Sequence, residues 1–256
     1  QNDDGLWVST YYRGIEYLNI NNGQFTHYNR STVPSLPSNQ TWTVLDGGDN
    51  NLYIGHVGSG FSIFSLKDKS VKNFQNETGN PTSLPGNDVF CIIKDANGNI
   101  WLGTNNGLAL YNAANDNFIT FRNNKNDKYA TLCSRILSIR QLKDNRLWIA
   151  SELNGIAILN LKQGMFLSPE ELSIEYIQEG DDSRSLSNAS ARCIFQDSFD
   201  NIWIGTWGGG INFISSKPPL FTTLSYSPIP NNENSLNNKV ASSLCMDRQG
   251  RIWIGT

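Results

Sequence analysis

An aromatic residue that returns about every fifty positions, a glycine that opens an alternating apolar run behind it, and a turn-rich composition together predict an all-β fold. The expected architecture is a β-propeller of four-stranded antiparallel blades. Of the 256 residues 38% are hydrophobic and only 17% charged, with 22 glycines. A helical protein of this length would carry more Ala, Glu, Lys and Leu. The chain is long enough to bury a core without disulfide or metal support.

The aromatic anchors are Trp7, Tyr53, Trp101, Trp148, Trp203 and Trp253, at intervals of 46, 48, 47, 55 and 50 residues. Three positions before each stand Asp4, Asn50, Gly98, Asn145, Asp200 and Gly250, types that tolerate the left-handed backbone of tight hairpins. Two positions after each stand Ser9, Gly55, Gly103, Ala150, Gly205 and Gly255. Only small side chains occur there, as where another chain segment approaches closely. The anchors themselves, at a repeated position, read as core.

Gly14, Gly60, Gly107, Gly155 and Gly210 each lead a five-residue run: IEYLN, FSIFS, LALYN, IAILN and INFIS. Alternation at period two marks a strand with one buried face. Before most anchors lies another such run (WTVLD, VFCIIKD, ILSIRQL, CIFQD, SSLCMD), and after the glycine-led strand comes a weaker fourth (FTHY, VKNF, FITF, FTTLSY). One period thus holds strands a to d, in the third copy Val89–Asp95, Ile100–Thr104, Leu108–Asn112 and Phe118–Phe121. A lone sheet of this size cannot cover both of its faces. Copies stacked around an axis can, and a β-solenoid, with shorter coils, fits the period less well.

Two stretches, Ser83–Asn112 and Ser185–Ile214, resemble the two-component regulator propeller repeat. The resemblance rests on three features in fixed order. A Ser-Leu opener stands at 35–36, 83–84, 185–186 and 235–236. The Ile-Trp-Leu/Ile-Gly-Thr segment stands at 100–104, 202–206 and 252–256, followed in the first two by the glycine-led strand. The fourth period departs from it, with Ala150-Ser151 in place of Gly-Thr, no opener, and extra residues within 161–187. The resemblance implies the periplasmic sensor region of a bacterial hybrid two-component system. Such proteins pair seven-bladed propellers with a membrane segment and a histidine kinase, and many respond to oligosaccharides. It also implies a homodimer in the full-length sensor.

The whole of 1–256 is expected to be propeller, with repeats near 1–30 (partial), 31–78, 79–124, 125–180, 181–228 and 229–256 (partial). Five to six blades are represented, and neither number closes a ring cleanly with the strands present. The expectation is therefore a piece of a larger propeller, seven-bladed as the resemblance implies, or an open arc of blades completed by further chain.

Antiparallel order puts the b–c and d–a loops on one rim and the uniform a–b turns on the other. The b–c loops vary between periods, and variable loops on a rigid frame are where binding resides. Tyr11, Tyr12, Arg13, His56, Glu152 and Trp207 are accordingly the candidate ligand-binding residues. Aromatic faces would stack on sugar rings, and the polar groups would meet hydroxyls. Against this stands the plain reading that they are solvated loop residues or pack on neighbouring blades.

No catalytic group is expected. Adjacent carboxylate pairs (Asp3-Asp4, Glu170-Glu171, Asp181-Asp182) point to opposite faces of a strand and cannot act together. Asp95, Asp197 and Asp247 recur six positions before an anchor, which suits turn stabilisation. No phosphate loop, hydrolase triad order or metal cluster stands out, so no cofactor or metal is expected. Cys91, Cys133, Cys193 and Cys245 show no paired spacing, and the three in alternating apolar runs, Cys91, Cys193 and Cys245, read mainly as small buried hydrophobes. Four Asn-X-Ser/Thr matches, at Asn29, Asn39, Asn76 and Asn188, follow from the high asparagine content. A net charge of −3 gives no reason to expect nucleic acid, and no run is apolar enough to cross a bilayer, so no direct membrane contact is expected.

The expected function is a non-enzymatic, periplasmic ligand-sensing propeller responding to oligosaccharides. Two alternatives stay open: a carbohydrate-active enzyme, glycosidase or lyase, which needs two carboxylates converging from different blades, and a protein-docking or dimerisation platform.

Overall fold

A computed structural model describes residues 5–121, 129–161, 173–182, 184–217, 235–236 and 238–255. The chain divides into two compact units, Gln1–Ile214 and Ser215–Thr256.

The first unit contains five small sheets in sequence order. The first holds β1 (Gly5–Thr10), β2 (Gly14–Asn19) and β3 (Phe25–Tyr28). The second holds β4 (Thr41–Gly48), β5 (Asn51–His56), β6 (Phe61–Ser65) and β7 (Val71–Phe74). The third holds β8 (Val89–Lys94), β9 (Ile100–Thr104), β10 (Gly107–Asn112) and β11 (Asn117–Thr120). The fourth holds β12 (Ile136–Gln141), β13 (Arg146–Ser151), β14 (Ile156–Asn160) and β15 (Ile174–Ile177). The fifth shows β16 (Ala191–Gln196), β17 (Ile202–Thr206) and β18 (Ile211–Ile214). In the second unit β19 (Ser243–Met246) and β20 (Ile252–Gly255) form a hairpin.

Every ladder is antiparallel and joins sequence neighbours. These are the blades a to d, with the third-period strands found within one residue of expectation. The fourth strand of blade 4 is β15, which puts the extra residues of that period between β14 and β15. The fourth strand expected at 221–226, the pairs Asp3-Asp4 and Glu170-Glu171, and the turn residue Asp4 lie outside the described residues.

The a–b turns take the backbone their residues allow. Asn50, Gly98, Asn145, Asp200 and Gly250 all have φ between 61° and 86°. In three of these turns an aspartate ties the turn to the anchor. Asp95 Oδ1 accepts the backbone N–H of Asn97 and Asn99, while Oδ2 accepts Asn99 Nδ2 and the Trp101 indole, all at 2.9 Å. Asp197 does the same for Phe199, Asn201 and Trp203, and Asp247 for Gln249, Arg251 and Trp253. Blade 4 has Leu142 at this place, and among the described residues the buried Trp148 indole N–H finds no acceptor.

Apolar side chains meet between blades. Ile15, Leu36, Leu52, Ile54 and Phe64 fill the seam of blades 1 and 2, and Phe61, Leu84, Val89, Leu102 and Phe118 that of blades 2 and 3. Trp101, Leu108, Ile136, Leu147 and Ile149 fill the next, and Trp148, Ile156, Leu186, Ile194 and Ile204 the last. The leucine of each Ser-Leu opener within this unit is thus a seam residue, buried as Leu36, Leu84 and Leu186.

The small-residue position sets the spacing of this stack. A Cβ on Gly103 would lie 2.5 Å from Cys91 Sγ and 2.7 Å from Cγ2 of Ile136 in the next blade. On Gly55 it would lie 2.7 Å from the Val89 carbonyl oxygen.

Two expectations need correction. Trp101 and Trp148 are core, but Trp203 is 40% and Trp253 60% exposed. Cys193 and Cys245 are exposed too, while Cys91 and Cys133 are half-buried. The reason is the same for both residue types. A blade buries each broad face only against the sheet packed on it: Ile194 and Ile204 of blade 5 meet blade 4, whereas Trp203 alternates to the other face, on which no further described sheet of its unit lies. The Cys91 thiol, in the seam of blades 3 and 4, is pushed up to about 12 by burial, which leaves it a protonated, inert packing group. Cys91, Cys193 and Cys245 are free.

Candidate functional site

The inner strands of successive blades lie side by side, β4 next to β8, β8 next to β12 and β12 next to β16. The N-terminal end of each inner strand pairs with the end of strand b, so the b–c loops and the inner-strand starts share one rim. One repeated backbone contact marks it in four blades. Val57 N donates to Gln40 O, Asn105 N to Asp88 O, Glu152 N to Arg135 O and Trp207 N to Ser190 O, at 2.9–3.0 Å.

Directly after this clasp each inner strand bulges. The register jumps between Thr41 and Thr43, Val89 and Cys91, Ile136 and Ser138, and Ala191 and Cys193. The residues skipped are Trp42, Phe90, Leu137 and Arg192. A bulge adds a residue the ladder does not use and re-aims its side chain.

These side chains and the loop residues form one continuous belt across the five blades. Tyr12 meets Tyr11 edge-on at 4.7 Å between ring centroids, and Tyr11 meets Trp42 at 6.4 Å. Trp42 packs edge-on against Phe90 at 5.5 Å. The Arg135 guanidinium lies over Phe90 at 4.6 Å and bonds Glu152 at 3.1 Å. Glu152 binds Arg192 with its other oxygen, also at 3.1 Å, and Arg192 lies over Trp207 at 4.6 Å. Each guanidinium-on-ring contact is worth about 0.5–2 kcal/mol, more where water is excluded.

Five of the six candidate residues lie along this rim. Tyr12 and Trp207 are 75% and 69% exposed, Tyr11 is 43% exposed, and Glu152 stands between the two arginines. Arg13 is exposed in the loop after Tyr12, its backbone N–H held by the Thr10 hydroxyl. His56 is a correction. It ends β5 rather than entering the loop, and it is fully buried. Its place is held elsewhere by Thr10, Thr104, Ser151 and Thr206, whose hydroxyls turn under the loop to the carbonyls of Gly14, Gly107, Gly155 and Gly210. In blade 2 the imidazole Nε2 instead meets Ser62 Oγ at 2.9 Å. Burial pulls its pKa down to about 4, so it is a neutral packing group at physiological pH, closed off from solvent.

Sequence reasoning missed Trp42, Phe90, Arg135 and Arg192, which carry most of the belt. One regularity points to the bulge residues. Positions 42, 90, 137 and 192 each lie 15 before the first loop residue, 57, 105, 152 and 207.

Little in this arrangement suits acid–base chemistry, since Glu152, the belt's carboxylate, is committed to two guanidiniums. Among the described residues no group of three His, Cys, Asp or Glu is placed to hold a metal, and no helix is long and apolar enough to cross a membrane.

Comparison with known proteins agrees with the propeller fold. The model of the two component regulator propeller family matches residues 83–106, 185–208 and 235–256. A solved extracellular domain of a hybrid two component system from B. thetaiotaomicron is 59% identical over 100% of this chain, with a TM-score of 0.72, and the chain covers 30% of it. A second such domain from B. thetaiotaomicron, 19% identical with a TM-score of 0.64, matches 100% of this chain and 31% of its own, and shares the fold. A histidine kinase of Formosa agariphila is 32% identical over 92 residues, 35% of this chain and 7% of the kinase. The chain thus spans less than a third of the length of these relatives.

Proposed function

We propose that this chain, which carries repeats of the two component regulator propeller family, is a ligand-reading part of the extracytoplasmic sensor of a hybrid two component system. The observation that carries the proposal is the 59% identity, along the full length of the chain, to the extracellular domain of such a system. The rim supports an oligosaccharide as the ligand class. Exposed aromatic rings from three blades, Tyr11 and Tyr12, Trp42, and Trp207, beside guanidiniums and a carboxylate make a surface on which sugar rings can stack and hydroxyls can bond. The chain signals by binding and turns over nothing, because the belt's carboxylate is held in ion pairs rather than free to move a proton.

A thermal-shift screen of the full chain against neutral and acidic oligosaccharides tests this reading. A ligand that binds only the folded state raises the melting temperature as its concentration rises. A saturable shift with an oligosaccharide, without release of reducing ends, is the expected result. Release of reducing ends would instead make the chain an enzyme. No shift with any glycan, together with self-association in sedimentation, would make the rim a docking platform for a second copy.

A further inference from the structure

We infer that the belt binds an oligosaccharide carrying an anionic group, its sugar rings against Tyr11, Trp42 and Trp207 and its carboxylate or sulfate on the guanidiniums of Arg135 and Arg192. This inference rests on the sensory reading above and assigns it a site and a ligand chemistry.

Three observations carry it. The first is placement. Trp42 and Arg192 are bulge residues, outside the ladder bonds of their strands, so their side chains are displayed rather than used for pairing. Trp42 is 49% and Trp207 69% exposed, although aromatics of this size usually bury most of their surface. The second is charge. Two guanidiniums share one carboxylate, and each gives Glu152 a hydrogen bond from a single terminal nitrogen. A guanidinium has several N–H donors in a fork that matches a carboxylate or sulfate, so the cluster keeps donors and one positive charge in excess. Asp88, on the adjacent loop, is turned to the backbone N–H of Gly58 at 2.7 Å and does not pair with either arginine. The third is preorganisation. Phe90 beneath Arg135 and Trp207 beneath Arg192, with Glu152 between, hold both forks in place before a ligand arrives. That lowers the ordering cost of binding.

Isothermal titration of the full chain tests the assignment. Short galacturonate and sulfated galactan oligomers are compared with neutral xylan and glucan oligomers of equal length, at low and high salt. Anionic oligomers should bind, neutral ones about tenfold or more weaker, and salt should weaken the anionic binding. Arg135→Gln and Arg192→Gln should each reduce anionic affinity about tenfold. Arg192→Lys should not restore it, because an ammonium lacks the planar fork. Trp207→Ala, at a solvated position where the ring meets Arg192, should weaken binding while lowering the melting temperature by only a few degrees, which keeps the test sound if an arginine variant folds poorly. Equal binding of neutral and anionic oligomers would overturn the anion assignment and leave the sensory reading standing. Anionic binding untouched by all four variants would place the site elsewhere and also overturn the proposal. Binding of no glycan at all would remove both.

Discussion

Blades 3 and 5 share nearly the same segment, Ile-Trp-Leu-Gly-Thr at 100–104 and Ile-Trp-Ile-Gly-Thr at 202–206, yet meet different fates. Both fold into the same strand, and both tie the tryptophan indole to an aspartate six residues earlier. In blade 3 the anchor is 4% exposed, in blade 5 it is 40% exposed. The hairpin of the second unit repeats the lesson, with Asp247 bound to Trp253 and that ring 60% exposed. Local chemistry therefore builds the hairpin, and burial is a property of the neighbour. The turn is written in a few residues, whereas the core belongs to pairs of blades.

The comparison breaks most visibly at the anchors. Trp101→Ala should cost about 3–5 kcal/mol, the range for large-to-small core changes. Trp203→Ala should cost less than about 2 kcal/mol because its ring already meets solvent. Urea unfolding followed by circular dichroism measures both, and equal losses would show that burial is not what separates the blades. Next in size is the small-residue position. Gly103→Ala forces a methyl onto Cys91 and Ile136 and should destabilise by about 1–3 kcal/mol. Gly205→Ala meets only Cys193 Sγ at 2.7 Å and should cost less by the same measurement.

A smaller contrast separates blades 3 and 4. Trp101→Phe leaves Asp95 without its indole partner and should cost about 1–2 kcal/mol. Trp148→Phe, which removes an N–H with no acceptor, should fall below that. A larger loss for Trp148→Phe would show that this indole has a partner after all.

The smallest effect is one of pH. Asp197 and Asp247 are held down to about 2, against an ordinary 3.8, first by the indole N–H of Trp203 and Trp253. Carboxylates with a lowered folded-state pKa stabilise the turns fully above about pH 4, and that contribution disappears as pH falls through about 2. The indole N–H resonances of Trp203 and Trp253 should titrate with midpoints near 2. A midpoint near 3.8 would mean the bonds carry no preference for the ionised form.

The fold was legible because its signals are short-ranged. Asn50, Asn145 and Asp200 advertise a left-handed turn whatever surrounds them, and Asp95 is six residues from the indole it binds. The rim was legible only in part. Tyr12 and Trp207 stand in loops whose variability shows in the sequence. Trp42 and Arg192 sit in or beside runs that read as ordinary alternation, and the bulge that frees them is a register shift between two strands, which no single run reveals. His56 was misplaced by one position, the difference between a strand end tucked under a loop and the loop itself. Exposure of Trp203 was illegible because the residue and its segment match buried counterparts.

The bulge at the head of β4, β8, β12 and β16 has a consequence for how such a scaffold can change. Because positions 42, 90, 137 and 192 stand apart from the ladder, swapping their side chains alters what the mouth of the stack displays while the hydrogen-bonded skeleton stays intact. Blades 2 to 5 thus each offer one editable letter, and a new molecular vocabulary can be composed without rewriting the grammar that folds the chain.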